Sequence, residues 1–150
     1  MIATSVGYDV VFLIHVLAAV GTVVVFVAMR MAAQQIMRGA PAATQQARFS
    51  GRRNWAARTM HLLPITGLVL SLTGDSAVSL TKSWVGIGIA CYLAASGHLE
   101  ARTLPLERVV AEAIRHDAVA SPERGRQLLR SIDVLLVLIA LALVAMIVQF

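Results

Sequence analysis

The sequence has little charge, few aromatic side chains and a single cysteine. Of its 150 residues, 14% are charged and 5% aromatic, whereas 58% are hydrophobic. Soluble domains carry about a quarter charged residues, so the polar groups here are too few to cover a water-facing surface. The lone Cys91 excludes an internal disulfide. The composition therefore excludes a soluble globule, a disordered segment and a disulfide scaffold, and it predicts an integral membrane protein.

The chain also lacks the short motifs of nucleotide and hydrolytic chemistry. It contains no Gly-rich phosphate loop, nucleophile elbow, CxxC or HExxH pattern. Its net charge of +5 and pI near 10.7 would indicate nucleic acid as the partner of a soluble protein. In this chain the basic residues lie in the loops that connect apolar spans, so their charge does not indicate a nucleic-acid partner. The predicted partner is therefore the lipid bilayer, and no nucleic acid is expected.

Four apolar stretches predict an all-α bundle of four transmembrane helices, which forms one domain over residues 1–150. The stretches are residues 10–29, 60–75, 83–98 and 132–148. A helix needs about 20 apolar residues to cross the hydrocarbon core of a bilayer. The second and third stretches are shorter, so they span only if flanking residues contribute or the bilayer thins locally.

The basic residues predict the orientation of these spans. Of the 13 Lys and Arg residues, only Lys82 lies between the second and third spans. The others lie in the two longer connections: Arg30, Arg38, Arg48, Arg52, Arg53, Arg58, Arg102, Arg108, Arg115, Arg124, Arg126 and Arg130. The positive-inside rule then places both connections in the cytoplasm and both termini outside. We expect a multi-pass protein of the bacterial cytoplasmic (inner) membrane.

The connection between the third and fourth spans predicts a cytoplasmic helical extension. Its apolar residues repeat at helical spacing: Leu106, Val109, Val110, Ala113 and Ile114. The triplet from Ser121 to Glu123, with Pro122 between them, is typical of a helix start. We therefore expect a helix below the membrane, a break near residues 118–121, and a second helix that enters the bilayer.

Ionisable side chains within the spans are the first candidates for function, because a charged one at the centre of a helix costs about 2.5–3.5 kcal/mol on insertion scales. Three of them, His61, His98 and Asp133, fall in one layer near the cytoplasmic boundary. His61 and His98 would together bind haem iron or a metal, with Asp133 orienting one imidazole. Alternatively, these side chains hydrogen-bond to lipid headgroups, and Asp133 pairs with Arg130 at i,i+3.

His15 differs from the other two histidines in depth. It lies about 22 Å from Arg30 along an ideal helix, in the outer part of the bilayer. Without a carboxylate on its own helix face, we expect a neutral ring that hydrogen-bonds to the second span. The expected partners are Ser71, Thr73 or Asp75. Ligand binding or proton handling by His15 and a purely structural hydrogen bond both remain open at this point.

Small residues follow one face of the third span. Gly86, Ala90 and Ala94 repeat every four residues, a pattern that permits close approach by another helix. This face predicts a homo-oligomer or assembly into a larger membrane complex. It would equally leave room for a flat cofactor against the helix.

Single residues in all four spans carry a resemblance to known proteins: the run Ile14-His15-Val16-Leu17 with Arg30, then Arg58, Pro64, Gly67, Trp84, His98, Arg130 and Asp133. The pattern resembles four-helix bacterial membrane proteins, closest to an uncharacterised family of predicted integral membrane proteins. More distantly, it is similar to CopD-like copper-resistance proteins and HemJ-type protoporphyrinogen oxidases. The last resemblance implies b-type haem on His15. Gly88 or a neighbour stands where those enzymes have a lysine, so the resemblance implies haem binding rather than oxidase activity.

Three functions are compatible with these features, and the sequence leaves open whether the protein is an enzyme. The first is a redox protein that binds haem b or a metal through His15 or through the pair His61 and His98. The second is a non-catalytic structural or accessory subunit. The third, a small transporter or proton path, is the least supported because the spans have few polar residues near their centres.

The orientation can be tested with a reporter domain fused after Phe150. We expect reporter activity on the outer side of the membrane, because the basic connections hold the opposite ends of the spans in the cytoplasm. Reporter activity in the cytoplasm would contradict the predicted orientation.

Overall fold

The computed structural model describes residues 2–49, 56–74, 82–117 and 119–148. Most residues in these ranges are helical and none is in a strand, which confirms the all-α class. Six α-helices are present: α1 (Ile2–Met37), α2 (Ala42–Arg48), α3 (Leu62–Thr73), α4 (Ser83–His98), α5 (Leu104–Asp117) and α6 (Pro122–Val148). A 3-10 helix, Ala56–His61, precedes α3, and a π-helical turn, Leu99–Thr103, joins α4 to α5.

Two of the helices, α1 and α6, are long and apolar enough to cross a membrane. Only 17% of the most apolar window of α1 and 22% of that of α6 are buried. The apolar core helix of a soluble protein would be mostly buried, so these helices differ from that case. α3 and α4, with 12 and 16 residues, are each shorter than the roughly 20 residues that a span requires.

The buried core occupies the arginine-rich half of the molecule. Its largest fully buried side chains come from five elements: Phe26, Ile36, Met60, Leu99, Val110, Ile114, Leu128, Ile132 and Leu135. In the other half, large apolar side chains face outwards on every long helix, among them Leu17 on α1, Leu72 on α3 and Ile147 on α6. The chain thus has a packed core at one end and an exposed apolar belt at the other.

The helical extension after α4 is confirmed. α5 buries Val110, Ala113 and Ile114, although Val109 is 45% exposed and lies off the buried face. Pro105 has no N–H to donate within the helix, and the wider π-helical turn ends at Thr103, two residues before it. This turn lets the chain continue from α4 to α5 without a break.

The predicted break and helix start between α5 and α6 are also confirmed. α5 ends at Asp117 and α6 begins at Pro122. The Ser121 hydroxyl accepts a hydrogen bond from the backbone N–H of Arg124 at 3.4 Å, as an N-cap residue does.

Asp133 pairs with a residue that the sequence did not suggest. Its carboxylate accepts a hydrogen bond from Arg30 Nε at 2.7 Å, which joins α6 to α1. The expected pair with Arg130 and the expected role in orienting an imidazole were therefore wrong. The reason is tertiary: α6 packs along α1, so Asp133 faces α1, whereas Arg130 is exposed.

The small residues of α4 fall on two faces. Gly88 and Ala95 are buried, whereas Gly86, Ala90 and Ala94 are exposed. A Cβ atom added at Gly86 would meet no atom within 4 Å. The stripe that the sequence singled out is therefore not covered by the described helices of this chain.

Gly125 allows the start of α6 to approach the end of α1. A Cβ atom there would stand 2.7 Å from the backbone nitrogen of Met37 and 2.9 Å from Ile36 Cγ2. We expect Gly125→Ala to lower the free energy of unfolding by about 1–3 kcal/mol, because the backbone must shift. Thermal unfolding in detergent measures the effect.

Gly21→Ala is the matched control for this substitution. Gly21 lies within α1, and a Cβ atom there would meet nothing within 4 Å. Because alanine favours a helix over glycine by about 1 kcal/mol, stability should stay equal or rise. Equal destabilisation by both variants would show that the close approach at Gly125 is unimportant.

Candidate functional site

A cavity of about 460 Å³ lies between α1, α3, α4 and α6. This volume falls within the range of about 300–1,000 Å³ that is common for small-molecule sites. Its lining is mostly apolar, with a few polar side chains at its walls: Tyr8, His15, Ser71, Cys91 and Tyr92. An apolar space with a few polar groups is the usual form of a ligand site.

The cavity exists because α3 and α4 pack on different partners. α3 lies against α1, α4 lies against α6, and no extensive contact joins α3 to α4 within the described ranges. Leu68 on α3 and Leu93 on α4 both line the cavity and are at least half exposed. The cavity therefore opens to the surroundings between α3 and α4.

His15 is held at the cavity wall by α3. Its Nδ1 lies 2.7 Å from the Thr66 hydroxyl. That hydroxyl has its own acceptor, the carbonyl of Leu62 at 2.8 Å, so Thr66 accepts the hydrogen bond from the ring N–H. With its proton on Nδ1, the ring keeps the lone pair of Nε2 for another ligand.

Gly67 on α3 faces this ring, and a side chain there would be in ordinary van der Waals contact with it. A Cβ atom added at Gly67 would stand 3.4 Å from His15 Cε1. The sequence predicted a partner for His15 on this helix, but the partner is Thr66 rather than Ser71 or Thr73. The third expected partner, Asp75, lies outside the described residues. The partner differs because it depends on how far α3 is shifted along α1, which the limits of the spans do not fix.

His61 lies outside the cavity and contacts α4. Its Nδ1 is 2.9 Å from the hydroxyl of Tyr92, and the two rings meet edge to face with their centroids 6.2 Å apart. On the other side of the ring, Nε2 is 3.6 Å from Glu100 Oε1. His61 therefore connects a side chain of the cavity wall to a carboxylate at the surface.

His98 joins α4 to α6. Its Nε2 lies 3.0 Å from the Ser131 hydroxyl and 3.1 Å from the Ser131 carbonyl oxygen. The Ser131 hydroxyl also shares a hydrogen bond of 2.8 Å with Thr103. The members of this partly buried polar cluster satisfy one another. The sequence analysis had considered haem, a metal or lipid headgroups as partners of His98, and it did not anticipate Ser131.

The three histidines that the sequence nominated thus occupy three separate surroundings. His15 lines the cavity, whereas neither His61 nor His98 does, and the latter two share no hydrogen-bond partner. In the described part of the chain, no group of three or more His, Cys, Asp or Glu side chains is arranged to hold a metal.

Sequence reasoning missed Thr66 and Tyr92 as parts of the site. Tyr92 lies in the middle of the third span, away from the boundaries where tyrosine is usually enriched, and that position was an available signal. Thr66 lacked a signal, because a threonine in a membrane helix commonly bonds to its own backbone, as Thr66 also does.

An ion pair closes the arginine-rich end of the cleft between α3 and α4. Arg58 Nε and Nη2 each donate to one oxygen of Glu100 at 2.9 Å, in a two-bond arrangement. These hydrogen bonds hold the pKa of Glu100 below its usual value and raise the pKa of Arg58. The pair ties the 3-10 helix before α3 to the π-helical turn after α4.

No protein-family model, curated protein or solved structure matches this chain. The interpretation of the site therefore depends on its geometry.

The Arg58–Glu100 pair predicts a pH dependence of stability. Because the pKa of Glu100 is lowered in the folded chain, the stabilisation is present above the unfolded pKa of about 4.3. It is lost as the pH falls through the folded value. We expect Glu100→Gln to lower the unfolding temperature in detergent at pH 7, with the difference from wild type shrinking towards pH 3.

Glu112→Gln serves as the control, because Glu112 is exposed and its contact with Arg115 is long, at 3.9 Å. That variant should unfold like wild type at both pH values. A difference for Glu100→Gln that stays constant with pH would contradict the proposed contribution of the pair.

Proposed function

We propose that this chain is a four-span inner-membrane protein that binds a flat apolar cofactor in its cavity through His15. Haem b, in a redox role, is the cofactor that the resemblance of the sequence implies. One observation carries the proposal: the imidazole of His15, whose Nδ1 lies 2.7 Å from the Thr66 hydroxyl, lines an apolar cavity.

The exposed apolar belt supports a membrane setting. α1 and α6 leave most of their apolar surface uncovered, which water would disfavour and hydrocarbon would not. The two shorter helices contribute to the same belt, because they expose large apolar side chains, among them Leu72 on α3 and Leu93 on α4. This shared belt favours four crossings, with the arginine-rich end in the cytoplasm.

His15 is the residue at the cavity wall that would hold haem iron. Neutral imidazole is a common haem ligand, and the hydrogen bond from Nδ1 to Thr66 sets the ring orientation and leaves Nε2 for the metal. When bound, haem would supply a one-electron redox centre. No Lys or Arg side chain is among the described residues that line the cavity, so none of these residues would pair with the haem carboxylates.

The other two nominated histidines have a structural role in this proposal. His61 contacts Tyr92 and Glu100, and His98 contacts Ser131, so each already joins two helices. A pair of axial bonds from His61 and His98 would break both sets of contacts. The proposal therefore assigns cofactor binding to His15.

An accessory subunit without a cofactor is the second candidate function. The exposed stripe of Gly86, Ala90 and Ala94 favours it, because such a face suits close packing against a second copy of this chain or another membrane helix. In that case the cavity would hold lipid rather than a cofactor.

Absorption spectroscopy distinguishes the two candidates. Wild-type protein purified in mild detergent and supplied with haemin should show a Soret band of bound haem. His15→Ala should weaken haem binding by roughly tenfold or more, since it removes the iron ligand. His116→Ala is the matched control, because His116 lies exposed on α5.

A wild-type preparation that stays colourless after haemin is supplied would overturn haem binding and favour the accessory subunit. Equal Soret bands in His15→Ala and wild type would show that haem binds elsewhere.

A further inference from the structure

Tyr92 connects the cavity to the surface at the arginine-rich end. Its side chain lines the cavity, and its hydroxyl lies 2.9 Å from His61 Nδ1. The His61 side chain is outside the cavity and is 36% exposed. Only two side chains therefore separate the interior of the cavity from the exposed surface.

The charges around His61 set the direction of its hydrogen bonds. The Glu100 carboxylate can only accept and lies 3.6 Å from His61 Nε2, so the tautomer with its N–H on Nε2 fits this contact. Nδ1 then carries the lone pair and accepts from the Tyr92 hydroxyl. In this arrangement the tyrosine proton points away from the cavity, and the tyrosine oxygen accepts from any donor inside it.

We propose that Tyr92 and His61 form a proton path between the cavity and the aqueous phase at the arginine-rich end. A donor in the cavity passes its proton to the Tyr92 oxygen as the tyrosine proton moves to His61 Nδ1. The His61 ring then loses its other proton, from Nε2, to water. Protons are conserved at each step, and uptake is the same sequence reversed.

Glu100 and Arg58 hold this path in place. While His61 carries both protons, the nearby Glu100 carboxylate balances the positive charge. Arg58 fixes that carboxylate through two hydrogen bonds of 2.9 Å. In the described part of the chain, His61 is surrounded by three titratable groups: Tyr92, Glu100 and, through Glu100, Arg58.

The path indicates the chemical class of ligand that the cavity serves. A ligand that exchanges a proton while it is bound, through an ionisable O–H or N–H group, can use it. A purely structural lipid has no need of it. This property goes beyond cofactor binding by His15, and it does not depend on haem.

Hydroxyl exchange of Tyr92 tests the path without any ligand. The chain has two tyrosines, so protein labelled with ¹³C at tyrosine Cζ gives two signals, and Tyr8 provides an internal reference. In a mixture of H₂O and D₂O, the isotope shift of each signal reports how fast that hydroxyl exchanges with solvent. Spectra of wild type, His61→Gln and Glu100→Gln would be compared in detergent.

We expect exchange at Tyr92 to slow by roughly tenfold or more in His61→Gln, because glutamine can hydrogen-bond to Tyr92 but cannot relay a proton. Glu100→Gln should slow it less. Tyr8 exchange should stay unchanged in both variants, and His116→Gln should leave both signals as in wild type.

An unchanged Tyr92 exchange rate in His61→Gln would overturn the path, since water would then reach the hydroxyl through the cavity opening. If His61→Gln does not fold, an unchanged rate in Glu100→Gln has the same meaning. Failure of haem binding leaves this measurement unaffected, so the two proposals fail separately.

Discussion

The packing of α6 along α1 is the constraint on which the other elements depend. It begins where Gly125 lets the backbone of α6 approach the end of α1, and it continues through the pair of Arg30 and Asp133. Each of the remaining apolar helices then attaches to one member of this pair, α3 to α1 and α4 to α6. Because α3 and α4 have different supports, the space between them stays open, and that space is the cavity.

Polar contacts near the arginine-rich end join the helices on the side where the described residues of α3 and α4 do not pack extensively against each other. Arg58 with Glu100 and His61 with Tyr92 join the start of α3 to α4, while His98 with Ser131 joins α4 to α6. A polar side chain in an apolar setting is costly unless it finds a partner. These partners are found between helices, so the same contacts that satisfy the polar groups also fix the width of the cleft.

The helical class, the extension after α4 and the N-cap of α6 at Ser121 were predictable from the sequence. They depend on local properties: hydrophobic runs, apolar periodicity and a capping residue near Pro122. The partners of His15 and Asp133 were not predictable in the same way. They depend on how far one helix is shifted along another, and a single residue of rise moves a side chain by about 1.5 Å. The sequence therefore identified His15 as a candidate but missed Thr66 and Tyr92.

The opening between α3 and α4 determines the phase from which a ligand arrives. The exposed rim is made of leucine and isoleucine side chains, among them Leu68, Ile89 and Leu93. If the chain spans a bilayer as proposed, a molecule that enters past such a rim comes from the lipid phase, so its occupancy would follow its mole fraction in the bilayer rather than its concentration in water. Diluting the membrane with additional lipid would then empty the site, even at a constant amount of ligand per volume of sample.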